Sequence, residues 1–409
     1  MFKKIDATQL KIGMYVQELG CAWLDSPFWQ KSFLLQDQAA LEKIHSARIV
    51  QVWIDPAKGL DVAPTVGEAA QTEHASSVDG VPREPAPDVA PVSIAQELGR
   101  AARIVALGRE AVMSMFNEAR MGRAVDAENA VALVAEITSS VMRNGDALIS
   151  LARLKSADDY TYMHSVAVCA LMIALARQLG MNELEIKEAG LAGLFHDIGK
   201  MAVPLNVLNK PGRLTDQEFD LVRGHPAAGH QMLSSTPGLS AVVLDVCLHH
   251  HEKIDGTGYP MQRCGDNISV MARMGAICDI YDAITSNRPY KKGWCPTESL
   301  RRMESWCPDH LDPSIFQSFV KSIGIYPVGT LVRLESGRLG VVVEQQLGRS
   351  LLLPKVRVFY SSKTANYIAP ELLDLAAPGI TDRIAASEVA SQWGLKNIDR
   401  FWADGVPPA

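Results

Sequence analysis

The residues most able to do chemistry in this chain centre on a neighbouring His196-Asp197 pair inside the run Leu-Phe-His-Asp-Ile-Gly-Lys, residues 194–200. Such a pair offers one imidazole nitrogen and one carboxylate, a mixed N/O set suited to iron, manganese or zinc rather than to magnesium alone. A carboxylate can bridge two ions, which a lone imidazole cannot. Gly199 allows a tight turn after the pair, and Lys200 sets a cation beside it. A bare His-Asp dipeptide carries little weight, so its company decides. Upstream stands Tyr-Thr-Tyr-Met-His164-Ser-Val-Ala. Downstream come Arg-Gly-His225-Pro-Ala-Ala-Gly, then His249-His-His-Glu-Lys-Ile-Asp-Gly-Thr-Gly-Tyr-Pro. Last is Ile-Cys-Asp279-Ile-Tyr-Asp282-Ala-Ile-Thr-Ser-Asn-Arg288-Pro-Tyr-Lys291.

In this order, the motifs between His164 and Lys291 resemble those of the HD-GYP proteins, a bacterial branch of the HD phosphohydrolase superfamily. The resemblance implies a helical HD-domain bundle that hydrolyses cyclic di-GMP. Residue by residue it implies His164, His196, Asp197, His225, His250, His251 and Asp279 as metal ligands, with Asp197 bridging. The family's His-His-Glu-x-x-Asp-Gly-x-Gly-Tyr-Pro spacing selects His250 and His251 from the three adjacent histidines and leaves His249 outside. Consecutive helical residues point about 100° apart, so two neighbouring histidines can serve different ions. Glu252 and Asp255 read as groups that orient ligands or the loop, since bound imidazoles need a partner on their other nitrogen.

The same resemblance makes Arg288 and Lys291 phosphate contacts, the first through its forked guanidinium, the second as a point charge. It gives Lys200 a role near the leaving oxygen. Gly258-Tyr259-Pro260 becomes a rigid loop at the mouth, with Tyr259 facing substrate, protein partners that make cyclic di-GMP, or neither. One departure matters. Some relatives carry a glutamate four residues before the first ligand histidine and hold three metals. Here Tyr160 occupies that position and Asp159 lies one step off it, so two ions per chain are expected, iron or manganese. His45, His74, His230 and His310 read as surface, packing or turn residues, and Ser165 and Cys278 as packing.

These residues need elements to hold them. Eight of the ten histidines fall in residues 126–323, whose pattern is almost wholly helical. The expected fold is mainly α: a helical HD-domain metal-binding bundle flanked by a small N-terminal α/β unit and a small C-terminal β unit. In the first unit, residues 1–62, Leu10, Ile12, Met14 and Val16 alternate at strand period, a helix is expected over 37–45 and a second strand over 49–54. Residues 63–92 hold five prolines and no Leu, Ile, Phe, Tyr or Trp, the composition of a flexible linker. Ser93 and Gln96 form a capping-box pattern at the head of a helix to about Met121, within a connecting segment 93–125. That helix has two readings, dimerisation or signal relay and simple packing on the next domain. Strands are expected over 330–334, 339–344 and 356–360 in a β unit spanning 324–375, then a helix and loose tail over 376–409.

Composition bounds the rest. A chain of 409 residues with 47% hydrophobic and 21% charged residues has room for two or three domains. Its net charge of −6 and lack of a basic block argue against a polymeric nucleic acid or an anionic membrane as partner. Seven scattered cysteines without a CxxC pair fit reduced thiols, and the start lacks a signal-peptide pattern, so a cytoplasmic protein is expected. The implied reaction is metal-assisted in-line hydrolysis to pGpG, GMP or both. The competing readings are a cyclic di-GMP receptor with little turnover and an HD phosphohydrolase acting on another nucleotide. A homodimer is compatible with the sequence.

Overall fold

The computed structural model describes residues 2–20, 32–46, 49–61, 90–154, 160–286, 293–345 and 350–403. The chain divides into two compact units, residues 1–89 and 90–409. The linker expectation falls almost entirely outside the described residues, as do Arg288, Lys291 and Asp159.

The first unit is a four-stranded antiparallel sheet with one helix. Strands β1 (Lys3–Asp6), β2 (Tyr15–Leu19), β3 (Phe33–Leu34) and β4 (Gln51–Ile54) lie in the order β1-β4-β2-β3, and α1 spans Gln38–Ser46. Ile5, Val16, Leu35, Ile44, Val52 and Ile54 form its core. The strand expected from Leu10 begins instead at Tyr15. Leu10 and Met14 are buried, but Gly13 has φ +94° and turns the chain, leaving Ile12 exposed. The alternation in the sequence is therefore not matched by burial, because the chain turns before the strand begins.

The second unit is built around one helix. α2 (Ile94–Arg120), α3 (Ala127–Arg153) and α5 (Glu183–Phe195) pack on α4 (Tyr160–Gln178), and α10 (Val270–Thr285) and α12 (Pro313–Ile323) close its other sides. From Val166 to Ala176 every residue of α4 is buried, the mark of a helix surrounded by protein rather than one with a wet face. α2 starts where the capping pattern places it, with Gln96 Oε1 accepting from the Ser93 N–H at 3.0 Å. Its Leu98, Ala101, Ile104, Val112 and Met115 are buried, so in this structure the helix packs on its own bundle.

Between α5 and α10 run a short 3-10 turn (Ile198–Ala202), α6 (Leu205–Leu208), α7 (Asp216–Arg223), α8 (His225–Ser234) and α9 (Ala241–His249); α11 spans Pro296–Glu304. A five-stranded antiparallel sheet follows: β5 (Leu331–Leu334), β6 (Arg338–Glu344), β7 (Lys355–Ser361), β8 (Asn366–Asp374) and β9 (Ile384–Ser387), in the order β8-β7-β6-β5-β9. The helix expected after about residue 380 is corrected: among the described residues that segment holds β9 and two short 3-10 turns. Pairing with β5 decides it, because Val332 and Arg333 offer a free sheet edge to Ser387 and Ala386. The six cysteines among the described residues are all free thiols. Among the same residues no helix is long and apolar enough to cross a membrane.

Candidate metal centre

Four helix ends converge to make the site. His164 lies in the first turns of α4, and His196 and Asp197 close α5. His225 opens α8, His250 and His251 follow α9, and Asp279 lies midway along α10. Two glycines permit the approach. A Cβ on Gly193 would stand 2.9 Å from the Cys169 Cα, so its absence lets α5 lie directly against α4. A Cβ on Gly199 would meet the His225 carbonyl oxygen at 1.9 Å. Gly199 therefore serves contact with α8 rather than a left-handed turn, and it draws the His-Asp pair against His225.

The seven expected ligand residues come together. All are buried except His251, which is partly exposed. They form two groups of four, His164, His196, Asp197 and Asp279, and Asp197, His225, His250 and His251, with ligand atoms inside each group within 4.8 Å of one another. Asp197 belongs to both, and its two oxygens divide the work. Oδ2 lies 3.4 Å from His164 Nε2 and 3.3 Å from His196 Nε2, whereas Oδ1 lies 3.2 Å from His225 Nε2 and 3.8 Å from His250 Nε2. Asp279 Oδ1 sits 2.9 Å from His164 Nε2 and Oδ2 3.8 Å from His251 Nδ1.

The outer nitrogens are committed to fixed acceptors. His196 Nδ1 lies 2.8 Å from the Gly193 carbonyl and His225 Nδ1 2.7 Å from that of Val222. His250 Nδ1 lies 3.1 Å from both the Val246 and Cys247 carbonyls. Each of these rings therefore carries its proton outward and turns an Nε2 lone pair inward. His225 Nε2 and His250 Nε2 then face each other at 3.4 Å with no proton between them, and buried His196 Nε2 and Asp197 Oδ1 lack a hydrogen-bond donor. Opposed, buried lone pairs are costly unless a cation lies among them. The donor set of imidazoles and carboxylates thus fits metal ions of the iron, manganese or zinc kind.

Electrostatics favours the ligand form at Asp197, Asp279, His250 and His251 and opposes it at His196. Burial alone would raise the Asp197 pKa, but Lys200 and His196 outweigh it and hold the carboxyl well below the usual range. Burial of Asp279 is likewise outweighed, here by the hydrogen bond and charge of His164. Burial drives His250 well below the ordinary histidine value and His251 down to about 3, so both rings stay neutral and available as ligands. Burial also opposes protonation of His196, yet the Asp197 and Asp279 charges raise its pKa.

Around this cluster the supporting residues are firm. Lys200 Nζ donates to Asp197 Oδ2. Glu252 accepts from the Met261 and Arg263 N–H groups at 2.7 and 3.1 Å, and Asp255 from the Thr257 N–H at 2.8 Å, so both hold the loop rather than a ligand ring. The Tyr259 ring lies 4.7 Å from that of His251. His249 turns away, its Nδ1 2.9 Å from Asp245 Oδ1, and belongs to neither group. One residue escaped the sequence reading: Asp282 Oδ2 lies 2.6 Å from His164 Nδ1 and fixes that ring. Its signal was the Asp-x-x-Asp spacing with Asp279, which sets both carboxylates on one helix face.

A helical bundle with a His-Asp pair closing a buried helix, and further histidines and an aspartate turned onto it, defines the HD class of hydrolases. Comparison with known proteins gives the particular branch. Residues 146–315 match a family described as HD domain, and residues 2–130 match a domain of unknown function, DUF3391. The latter runs past the expected linker into α2 and α3. The chain is 55% identical over 403 residues to the cyclic di-GMP phosphodiesterase PA4108 of Pseudomonas aeruginosa, covering 98% of this chain and 96% of that protein. It is 40% identical over 127 residues to the cyclic di-GMP phosphodiesterase response regulator RpfG of Xanthomonas campestris, covering 31% of this chain and 34% of that one. It is also 35% identical over 168 residues to the 3'3'-cGAMP-specific phosphodiesterase 3 of Vibrio cholerae, covering 41% and 36%. The chain belongs to the HD-GYP family of phosphodiesterases.

Proposed function

We propose that this chain hydrolyses cyclic di-GMP to pGpG, GMP or both, at a dinuclear metal site bridged by Asp197. The observation that carries the reading is the division of labour at Asp197, with one oxygen toward His164 and His196 and the other toward His225 and His250. The substrate is inferred from the relative that is 55% identical across nearly the whole chain. In this reading His164, His196 and Asp279 hold one ion and His225, His250 and His251 the other. Bound iron or manganese supplies charge neutralisation and an acidified water for attack on the phosphodiester.

The chain's own residues do the rest. Asp282 orients His164, and the backbone carbonyls of Gly193, Val222 and Val246 hold the other rings so that their lone pairs converge. Lys200 offsets the carboxylate charge at Asp197 and stands ready for charge building on the leaving oxygen. Arg288 and Lys291 are assigned to the phosphates, and Tyr259 to the mouth, where the Gly258-Tyr259-Pro260 loop also offers a contact for protein partners. A cytoplasmic setting suits a soluble second messenger.

The test is anaerobic purification, metal analysis, and chromatography after incubation with cyclic di-GMP and, separately, 3'3'-cGAMP. About two ions per chain are expected, with product from cyclic di-GMP that His196→Ala and Asp197→Ala abolish. Preference for 3'3'-cGAMP would reassign the substrate. Tight binding without product under iron and manganese would make the protein a receptor.

A further inference from the structure

We propose that Arg223 is a substrate-binding residue, its guanidinium held on the Tyr259 ring so that its donors take a phosphate of the dinucleotide. The inference rests on the reading of the site given above. Arg223 is the last residue of α7, two before His225. The corner between them is fixed from inside, since the His225 ring bonds to the Val222 carbonyl at 2.7 Å. The position of Arg223 is thereby tied to that of a residue in the cluster.

Its side chain lies beyond a pair of neighbouring rings that begins at the cluster. The Tyr259 ring lies 4.7 Å from His251 at an interplanar angle of 32°, and the Arg223 guanidinium carbon lies 5.0 Å from the Tyr259 centroid. Phe219 flanks it at 5.9 Å. A guanidinium held over an aromatic ring by its charge spends none of its N–H donors on that contact, so they remain for a phosphate acceptor. Among the described residues no carboxylate lies within ion-pair distance of Arg223, and the residue is partly exposed.

Charge balance asks for such a group. Asp197, Asp279 and Asp282 crowd the cluster, Lys200 is committed to Asp197, and the dinucleotide brings two phosphodiesters. A cation at the rim, uncommitted to any carboxylate among the described residues, offsets the repulsion an approaching phosphate meets. The alternative is that Arg223 only complements the dipole at the end of α7.

Arg223→Ala and Arg223→Lys separate the two. KM and kcat for cyclic di-GMP, cyclic di-GMP affinity by calorimetry, metal content and thermal midpoint are measured on the metal-loaded full chain. Substrate binding by Arg223 predicts that Arg223→Ala raises KM and weakens affinity about tenfold, with kcat within about twofold and metal content unchanged. Arg223→Lys recovers part of that loss, because it keeps the charge without the fork. Unchanged KM and affinity overturn the proposal. So does a fall in kcat that tracks lost metal and a lower midpoint. If the parent protein binds cyclic di-GMP without turning it over, the functional reading fails, and the affinity difference alone decides the role of Arg223.

Discussion

Two buried, charged clusters sit in the same helical unit and are built on opposite terms. Where α2 crosses α3, Glu97 is almost fully buried and every demand it makes is met. Its Oε2 accepts from Arg143 Nε at 2.8 Å, and its Oε1 from Arg143 Nη2 at 2.9 Å and the Ser140 hydroxyl at 2.8 Å. At the His-Asp cluster the side chains are buried as deeply, yet His196 Nε2 and Asp197 Oδ1 have no hydrogen-bond partner and His225 Nε2 faces His250 Nε2 at 3.4 Å. A buried ionic group that closes on itself contributes to the specificity of helix packing. One left open stores an unfavourable arrangement for something to relieve. Burial alone does not distinguish a structural ion pair from a functional site; satisfaction of the buried atoms does.

The sharpest way to break the contrast is to remove the shared carboxylate. Asp197→Ala is expected to lower phosphodiesterase activity about a thousandfold or more and to cut metal content, both read on purified protein. Its metal-free form is expected to unfold at a denaturant concentration no lower than the parent's, because a crowded charge has gone. A lower midpoint for that form would mean the cluster is structural after all. Glu97→Ala should do the reverse. It strands Arg143 in the interior and costs about 3 kcal/mol in urea unfolding, while metal content per folded chain stays unchanged.

Smaller effects test intermediate cases. Asp282→Asn keeps the shape beside His164 but weakens the carboxylate's hold on that ring, and a loss of about 10- to 100-fold in metal affinity or activity is expected. Activity equal to the parent would remove Asp282 from the site's support. Asp146 lies between the extremes, its carboxylate accepting from the Gln345 N–H at 2.8 Å. Burial, helped by Glu344, raises its pKa from 3.8 to about 6 against that hydrogen bond. The folded state therefore binds this proton more tightly than the unfolded chain does. The associated stability is present below about pH 4 and lost as pH rises through about 6. Asp146→Asn should match the parent near pH 4 and exceed it by about 1–2 kcal/mol above pH 7. A difference independent of pH would show that the charge is not the cause.

How much of this was legible beforehand varied with the range of the interactions. The choice of His250 and His251 over His249 needed only the spacing to Glu252, Asp255 and Tyr259, and in the structure His249 bonds to Asp245 outside both ligand groups. The helix from Ser93 was legible because capping is local. The segment after residue 380 was misread because nothing local favours a strand there; pairing with β5, some fifty residues earlier, decides it. Leu10 to Val16 misled in the other direction, with strand-like alternation in a segment that turns at Gly13. The Glu97–Arg143 pair gave no signal at all. Charged residues at helical spacing read as a solvated face until another helix covers them.

By itself the sequence determined the chemistry on offer: five imidazoles and two carboxylates at the spacings of one family, with a lysine beside them and Arg288 and Lys291 downstream. Such an inventory depends on residue types and short separations, which are properties of a string. Only the tertiary structure decided which Asp197 oxygen faces which histidines, that Asp282 steadies a ring 118 positions away, and that Arg223 lies against Tyr259. Those facts depend on how α4, α5, α8 and α10 pack, and packing is settled by glycines that admit close approach and by burial summed over the whole bundle.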